Sequence, residues 1–247
     1  MKIISVFLLL LVLVIGRPAA GQSGPASGGA ASAGLLAQQY FASFASYPLL
    51  FNGPEYADYA KSYRTASGHQ FFIWPEWQNC SIVYNDHAFA GLTLSYDIVL
   101  DQVVLQQSAV PLTFRLANGL VRSFTLGEHR FTWLTADSLT AGTLSTGYYE
   151  VLLEGPATLL ARRIKKIHER KYATYVDASF EQVDQLFLRK SGTYAPIETK
   201  SAVLAAFADH GKEIQKYIQS NRLSFKENRR VADILQVVRY YNTLPAQ

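Results

Sequence analysis

The side chains suited to acid–base, nucleophilic or metal chemistry are few in this chain, and they are scattered. There are five histidines, His69, His87, His129, His168 and His210, and a single cysteine, Cys80. A hydrolytic or metal site needs several such groups to converge. The closest grouping in sequence is His69, Asp86 and His87, and it becomes a site only if the fold brings two strand ends together. His87 and His129 both fall in expected turns, where a solvated surface histidine is the plain alternative. Cys80 sits between Asn79 and Ser81, and a lone cysteine forms no intramolecular disulfide. A nucleophilic thiol would need a base and an orienting partner. The chain contains no HExxH, GxSxG, Walker, GxGxxG or paired Cys/His metal pattern. No cofactor and no metal is therefore expected, and an enzyme remains an alternative only as a hydrolase whose site has no linear motif.

Two features point to binding instead. The run ARRIKKIHERK at 161–171 carries Arg162, Arg163, Lys165, Lys166, Arg170 and Lys171. Such a run contacts lipid headgroups, lipopolysaccharide phosphates or an acidic partner. The plainer reading is a solvated strand, or an edge strand whose charges discourage edge pairing. Aromatics are the second feature. Trp74, Trp77 and Trp133, with Tyr84 and Tyr96, suit a groove for a sugar or lipid, or else a core. The interruption by Pro75 and Glu76 within FFIWPEW favours solvent exposure for a tryptophan there. The candidate ligand-binding set is therefore Trp74, Trp77, Trp133, Arg162, Arg163, Lys165 and Lys166.

The N-terminus reads as an export signal, with Lys2, an apolar run from Ile3 to Ile15, then Gly16-Arg17-Pro18 and the small residues Ala19-Ala20-Gly21. The run is shorter than the roughly 20 residues of a membrane-spanning helix; an uncleaved anchor is the alternative. No cysteine follows the run to carry a lipid. Cleavage near Gly21 removes two of the 23 basic residues and none of the 19 acids, leaving a formal charge of +2. That is too small to argue for nucleic acid. No later stretch is long and apolar enough to span a bilayer.

The elements that must position these groups are mostly strands. Aromatics make up 13% of the chain, and they favour strands and interfaces. Residues 112–134 alternate apolar and polar around Ala117-Asn118-Gly119 and Gly127-Glu128-His129, which predicts a three-strand meander. Ser81–Tyr84, two strands bent about Leu100-Asp101-Gln102, Tyr148–Leu153, a long return strand from Thr158 through the basic run, and a hairpin about Lys190-Ser191-Gly192 extend the pattern. For the basic run a helix fits almost as well, because Leu160, Ile164 and Ile167 share helical spacing. After Glu198 the period becomes helical. Val203 and Phe207, then Ile214 and Ile218, then Val231, Ile234, Leu235 and Val238 mark three apolar stripes. Ser224 to Glu227 matches a capping box before the last of them. Residues 22–34 read as a Gly/Ser/Ala tether, and 35–46 as a short amphipathic helix. The expected fold is α+β: an antiparallel, strongly bent or partly closed sheet of roughly eight to eleven strands, with two or three short C-terminal helices, in one domain over 35–247.

NGPEYADY at 52–59, GHQFF at 68–72, YDIVLDQVVL at 96–105, HRFTWL at 129–134, GYYEVLLEG at 147–155 and KEIQKYI at 212–218 resemble a group of exported Bacteroidota proteins. The resemblance spans about 50–244. It implies a periplasmic or outer-envelope location and one co-occurring unit, and it transfers no catalytic or binding residue. The expectation is an exported, non-enzymatic binding module for an envelope protein or an amphiphile such as a lipid or glycan. A structural or assembly factor, which would present an exposed strand edge, is the alternative beside the hydrolase.

Overall fold

Bulges and turn residues bend one long antiparallel sheet until its own aromatic side chains meet across it. The computed structural model describes residues 47–51, 53–73, 78–106, 112–136 and 143–245, all within the unit Ser43–Gln247. The export signal, the tether, the helix expected at 35–46 and the interrupted segment with Trp74 and Trp77 lie outside the described residues. The main sheet has ten strands. They are β2 (Gln78–Tyr84), β3 (His87–Asp97), β4 (Gln102–Gln106), β5 (Thr113–Arg115), β6 (Val121–Leu126), β7 (His129–Leu134), β8 (Gly147–Leu153), β9 (Ala157–Arg162), β12 (Gln185–Lys190) and β13 (Thr193–Pro196). Their order is β13-β12-β9-β8-β7-β6-β2-β3-β4-β5, antiparallel throughout, and the sheet does not close. A second sheet, β1 (Thr65–Ser67), β11 (Val176–Gln182) and β10 (Lys165–Lys171), has β10 as one edge.

The α+β architecture is as the residue pattern predicts, and three points differ in detail. The three strands of 112–134 exist, but β5 pairs with β4 while β6 pairs with β2 and β7. The 3-10 turn at Asn118–Leu120 therefore crosses between distant strands instead of closing a hairpin. The long return strand is two strands, β9 and β10, in two different sheets, and β11 is the partner of β10. The capping box does not form. The last helix starts at Arg230, and the buried carboxylate of Asp233 accepts the Ser224 and Phe225 amides, each at 2.9 Å.

Asn85 and Asp86, both at positive φ, turn β2 into β3, the conformation favoured by a tight hairpin. Gly91, at φ +70°, is the extra residue where the pairing jumps from Cys80–Leu92 to Ser81–Ala90, and such a bulge bends the strand. Beyond it β3 is almost wholly buried. Tyr96 on β3 and Tyr148 on β8 lie four strand steps apart in the sheet, which would separate them by about 19 Å if it were flat. Their ring centroids are 5.6 Å apart. Phe124 and Phe131, stacked at 4.8 Å, fill the space between them. These edge-to-face and offset contacts form the first core.

A second core lies between the sheet and three helices, α1 (Lys200–Ala206), α2 (Gly211–Ser220) and α3 (Arg230–Tyr241). The Asn242 side chain follows α3 and bonds both the amide and the carbonyl of Ala157 on β9, at 2.9 and 2.8 Å. Lys190 of β12 bonds Asp209 at 2.8 Å, and Asp209 also accepts the Tyr241 hydroxyl at 2.6 Å. Partial burial opposes ionisation of Asp209, but these two donors outweigh it and hold the carboxyl down at about 2.

Two predictions follow from these attachments. Asp233→Ala removes the buried carboxylate that accepts the Ser224 and Phe225 amides and should lower the unfolding free energy by about 2 kcal/mol in urea titrations. Asp209 has a folded value below its unfolded value of about 3.9, so its stabilisation is full above about pH 4 and is lost as the pH falls toward about 2. The difference in urea midpoint between the wild type and Asp209→Asn should shrink over that interval.

Candidate functional site

The basic run begins on β9 and ends on β10, so its side chains divide between the protein interior and an exposed sheet. Arg162, at the end of β9, is drawn inward. It donates to the carbonyls of Ser145 and Thr146 at 3.0 and 3.3 Å, bonds the Ser145 hydroxyl, and lies 3.6 Å from Asp101. Gly147 makes this convergence possible, because a Cβ there would collide with the Asp101 carboxylate and the Arg162 guanidinium. Arg163 is the pivot between the sheets. Its Nε donates to Glu150 at 2.6 Å, and its other nitrogen bonds Asp184. Glu150, only 3% exposed, also bonds Nδ1 of His129 at 2.5 Å. Lys165 donates to the carbonyls of His69 and Phe71 at 2.8 and 2.6 Å, and burial lowers its pKa.

The neighbouring carboxylate Asp97 is fully buried. It accepts the hydroxyls of Tyr56 and Tyr59 at 2.9 and 3.2 Å and the amides of Val99 and Leu100 at 2.9 and 3.0 Å. Burial raises the Asp97 pKa, and burial, with the Asp97 charge second, raises both tyrosines. With four donors on its two oxygens, Asp97 is a structural anchor for residues 56–59 and has little capacity left for a substrate.

His129, its side chain 36% exposed, is held in the chain His129–Glu150–Arg163–Asp184, with Phe72 packed edge-on at 5.0 Å. A carboxylate that orients an imidazole is half of a general-base arrangement. Among the described residues no hydroxyl or thiol is hydrogen-bonded to His129. Burial pushes the Cys80 thiol up to about 11, which leaves it protonated at neutral pH. His87 bonds the carbonyl of Asn85 in its own turn, and Asp86 pairs with Arg122. The grouping of His69, Asp86 and His87 is thus not assembled by any contact described. No group of three His, Cys, Asp or Glu among the described residues has metal-binding geometry.

Trp133 is half-buried, edge-on to Tyr148 at 4.7 Å. It borders an open cleft of about 340 Å³ together with Asp86, Leu120 and Arg122. That volume is at the low end for small-molecule sites. Arg162 is not among the described residues that border this cleft; it lies against Tyr149, whose side chain points to the opposite face of β8 from Tyr148.

The outward half of the run is different. Lys166, His168, Arg170 and Lys171 are exposed on β10. At the hairpin tip Tyr172 and Tyr175 stack at 4.4 Å, with Arg64 4.1 Å above Tyr175 and Arg170 5.7 Å from Tyr172. The residue pattern places 172–182 in no element and so does not reveal this Arg64–Tyr175–Tyr172–Arg170 ladder; the pair Tyr172 and Tyr175 around Ala173-Thr174 is the signal the sequence offers. Comparison with protein-family models, with curated proteins and with solved structures finds no match for this chain. No described helix is long and apolar enough to cross a membrane.

The division of the run predicts a division of effects. Arg163→Leu leaves Glu150 and Asp184 without their cation and should cost about 3–5 kcal/mol of stability. Lys166→Ala, on the solvated strand, should stay within about 0.5 kcal/mol. Thermal or urea unfolding of the two variants measures both.

Proposed function

We propose that this chain is an exported cell-envelope protein, akin to the Bacteroidota group it resembles, and that it acts as a non-enzymatic binding module for an envelope protein. Location in the periplasm or at the outer envelope follows from the N-terminal export pattern. The observation that carries the binding role is the exposed Arg64–Tyr175–Tyr172–Arg170 ladder on the small sheet. Stacked tyrosines and arginines are the side chains that most often dominate binding energy at protein interfaces, since they bury large areas at low entropic cost. Tyr172 alone is 40% exposed. The protein reading is preferred to the amphiphile reading because the cleft beside Trp133 is small and bordered by Asp86 and Arg122, whereas an amphiphile asks for a large apolar cavity.

The test is native mass spectrometry of the mature protein purified from its own envelope. A co-purifying protein is expected, and the double substitution Tyr172→Ala with Arg170→Ala should reduce its occupancy by about tenfold or more, corresponding to the loss of one binding hot spot. A bound lipid or glycan that survives this substitution would favour the amphiphile reading. A bare monomer would overturn the binding role.

A further inference from the structure

Antiparallel pairs alternate between hydrogen-bonded and non-hydrogen-bonded, so the two ends of the β10–β11 ladder determine which backbone groups of β10 face away from it. At the tip the Tyr172 amide donates to the Tyr175 carbonyl at 2.8 Å. At the base the Val183 amide donates to the Ile164 carbonyl, also at 2.8 Å. Steps of two from either end make Lys166–Glu181, His168–Ser179 and Arg170–Asp177 the bonded pairs. Lys165, Ile167, Glu169 and Lys171 therefore aim their amides and carbonyls outward. The outward amide of Lys165 already donates to the Ile98 carbonyl at 3.1 Å. Those of Ile167, Glu169 and Lys171 have no backbone partner among the described residues, and they form an open edge about 13 Å long.

The side chains along this edge are selective. Lys166, His168 and Arg170 share one face. His168 bonds Glu181 at 2.7 Å, while Lys166 and Arg170 have no carboxylate within ion-pair distance among the described residues. On the other face the acid of β10, Glu169, is already engaged by the Tyr63 hydroxyl at 2.7 Å and by Lys171 at 3.8 Å. Glu181 and Asp177 stand opposite Lys166 and Arg170 on β11, and the charge that β10 itself carries along the outer edge is positive.

We propose that β10 takes an extended acidic segment of a partner protein as an added strand, a claim that rests on the binding role above and names its partner. The added strand would bond Ile167, Glu169 and Lys171, which places its neighbours opposite Lys166, His168 and Arg170 in the closely spaced non-bonded pairs. Acids four residues apart on one face then meet Lys166 and Arg170. Backbone bonds supply affinity and the alternate side chains supply specificity. A second copy of this chain fits poorly: antiparallel pairing centred on His168 sets Lys166 of one copy against Arg170 of the other, and like charges so placed are destabilising. The chain's own first 46 residues contain no aspartate or glutamate, so they do not match the edge in charge.

The mature chain should be titrated into a fluorescent seven-residue threonine–valine peptide with glutamates at its second and sixth positions, beside a control with lysines there. Anisotropy should report binding of the acidic peptide alone, and hydrogen exchange should slow at the Ile167, Glu169 and Lys171 amides. Ile167→Pro removes an outward amide and is tolerated on an edge strand; it should weaken binding by about tenfold or more. Lys166→Glu with Arg170→Glu should reverse the preference to the lysine peptide, which keeps the test decisive if the proline variant misfolds. Equal binding by Ile167→Pro and the wild type, or unchanged exchange at the three amides, would overturn strand addition. So would binding to phosphatidylglycerol vesicles but not to the acidic peptide, which would mark the strand as a lipid contact. A co-purifying protein unaffected by these variants would overturn this inference and leave the binding role standing, whereas a bare monomer strikes at the binding role itself.

Discussion

Arg163 occupies the point on which the two-sheet arrangement turns. The chain leaves the large sheet at Arg162 and enters the small one at Lys165. Between them the Arg163 guanidinium is clamped by Glu150 on β8 and by Asp184, which lies just before β12. A planar fork of donors suits two carboxylates at once in a way that a lysine ammonium does not. Glu150, only 3% exposed, takes that cation as its partner together with His129, and removing one member of a buried ion pair is costly. The ion network therefore couples the end of β9, the start of β12 and the hairpin end of β7 through His129. The small sheet departs from this fixed point, and Lys165 reinforces the departure by holding the 69–71 backbone.

The interior of the large sheet depends on curvature. Tyr96, Phe124, Phe131 and Tyr148 come from four different strands and touch because bulges and the Gly91 turn residue roll the sheet. Polar groups on both faces of this roll are matched to partners. Tyr96, inside it, donates its hydroxyl to Asp101 at 2.6 Å, and Asp97, on the opposite face of β3, receives four donors. Buried polar atoms so satisfied specify one arrangement of the core and stabilise it only modestly.

One continuous basic run divides into an inward and an outward half because a strand break falls inside it. Arg162, Arg163 and Lys165 complete the interior. Lys166, Arg170 and Lys171 remain on a solvated edge beside a tyrosine pair. Charges on an edge discourage pairing with a like copy, and the same charges would favour the acidic partner proposed for β10. The expected protective role of the run and its expected binding role are therefore compatible, since they concern different partners.

Much of the architecture was legible in local pattern. Period-two alternation located β2 to β8 and the β12–β13 hairpin, and period-3.6 stripes located the three helices, because backbone geometry writes itself into neighbouring residues. The positive charge of the candidate surface was visible as a basic run, whereas its tyrosine pair, Tyr172 and Tyr175, was not. Tertiary structure alone decided which strands pair, since β5 and β6 are separated by three other strands despite a turn-like link. It decided that the Ser224–Glu227 pattern is not a cap, because the helix starts at Arg230 and Asp233 takes the Ser224 amide. It also decided that His129 joins Glu150 and that Lys166 faces outward while Arg163 faces inward. Each of these depends on contacts between residues far apart in the chain, whose geometry arises from sheet curvature and register, and a single sequence carries no direct record of either.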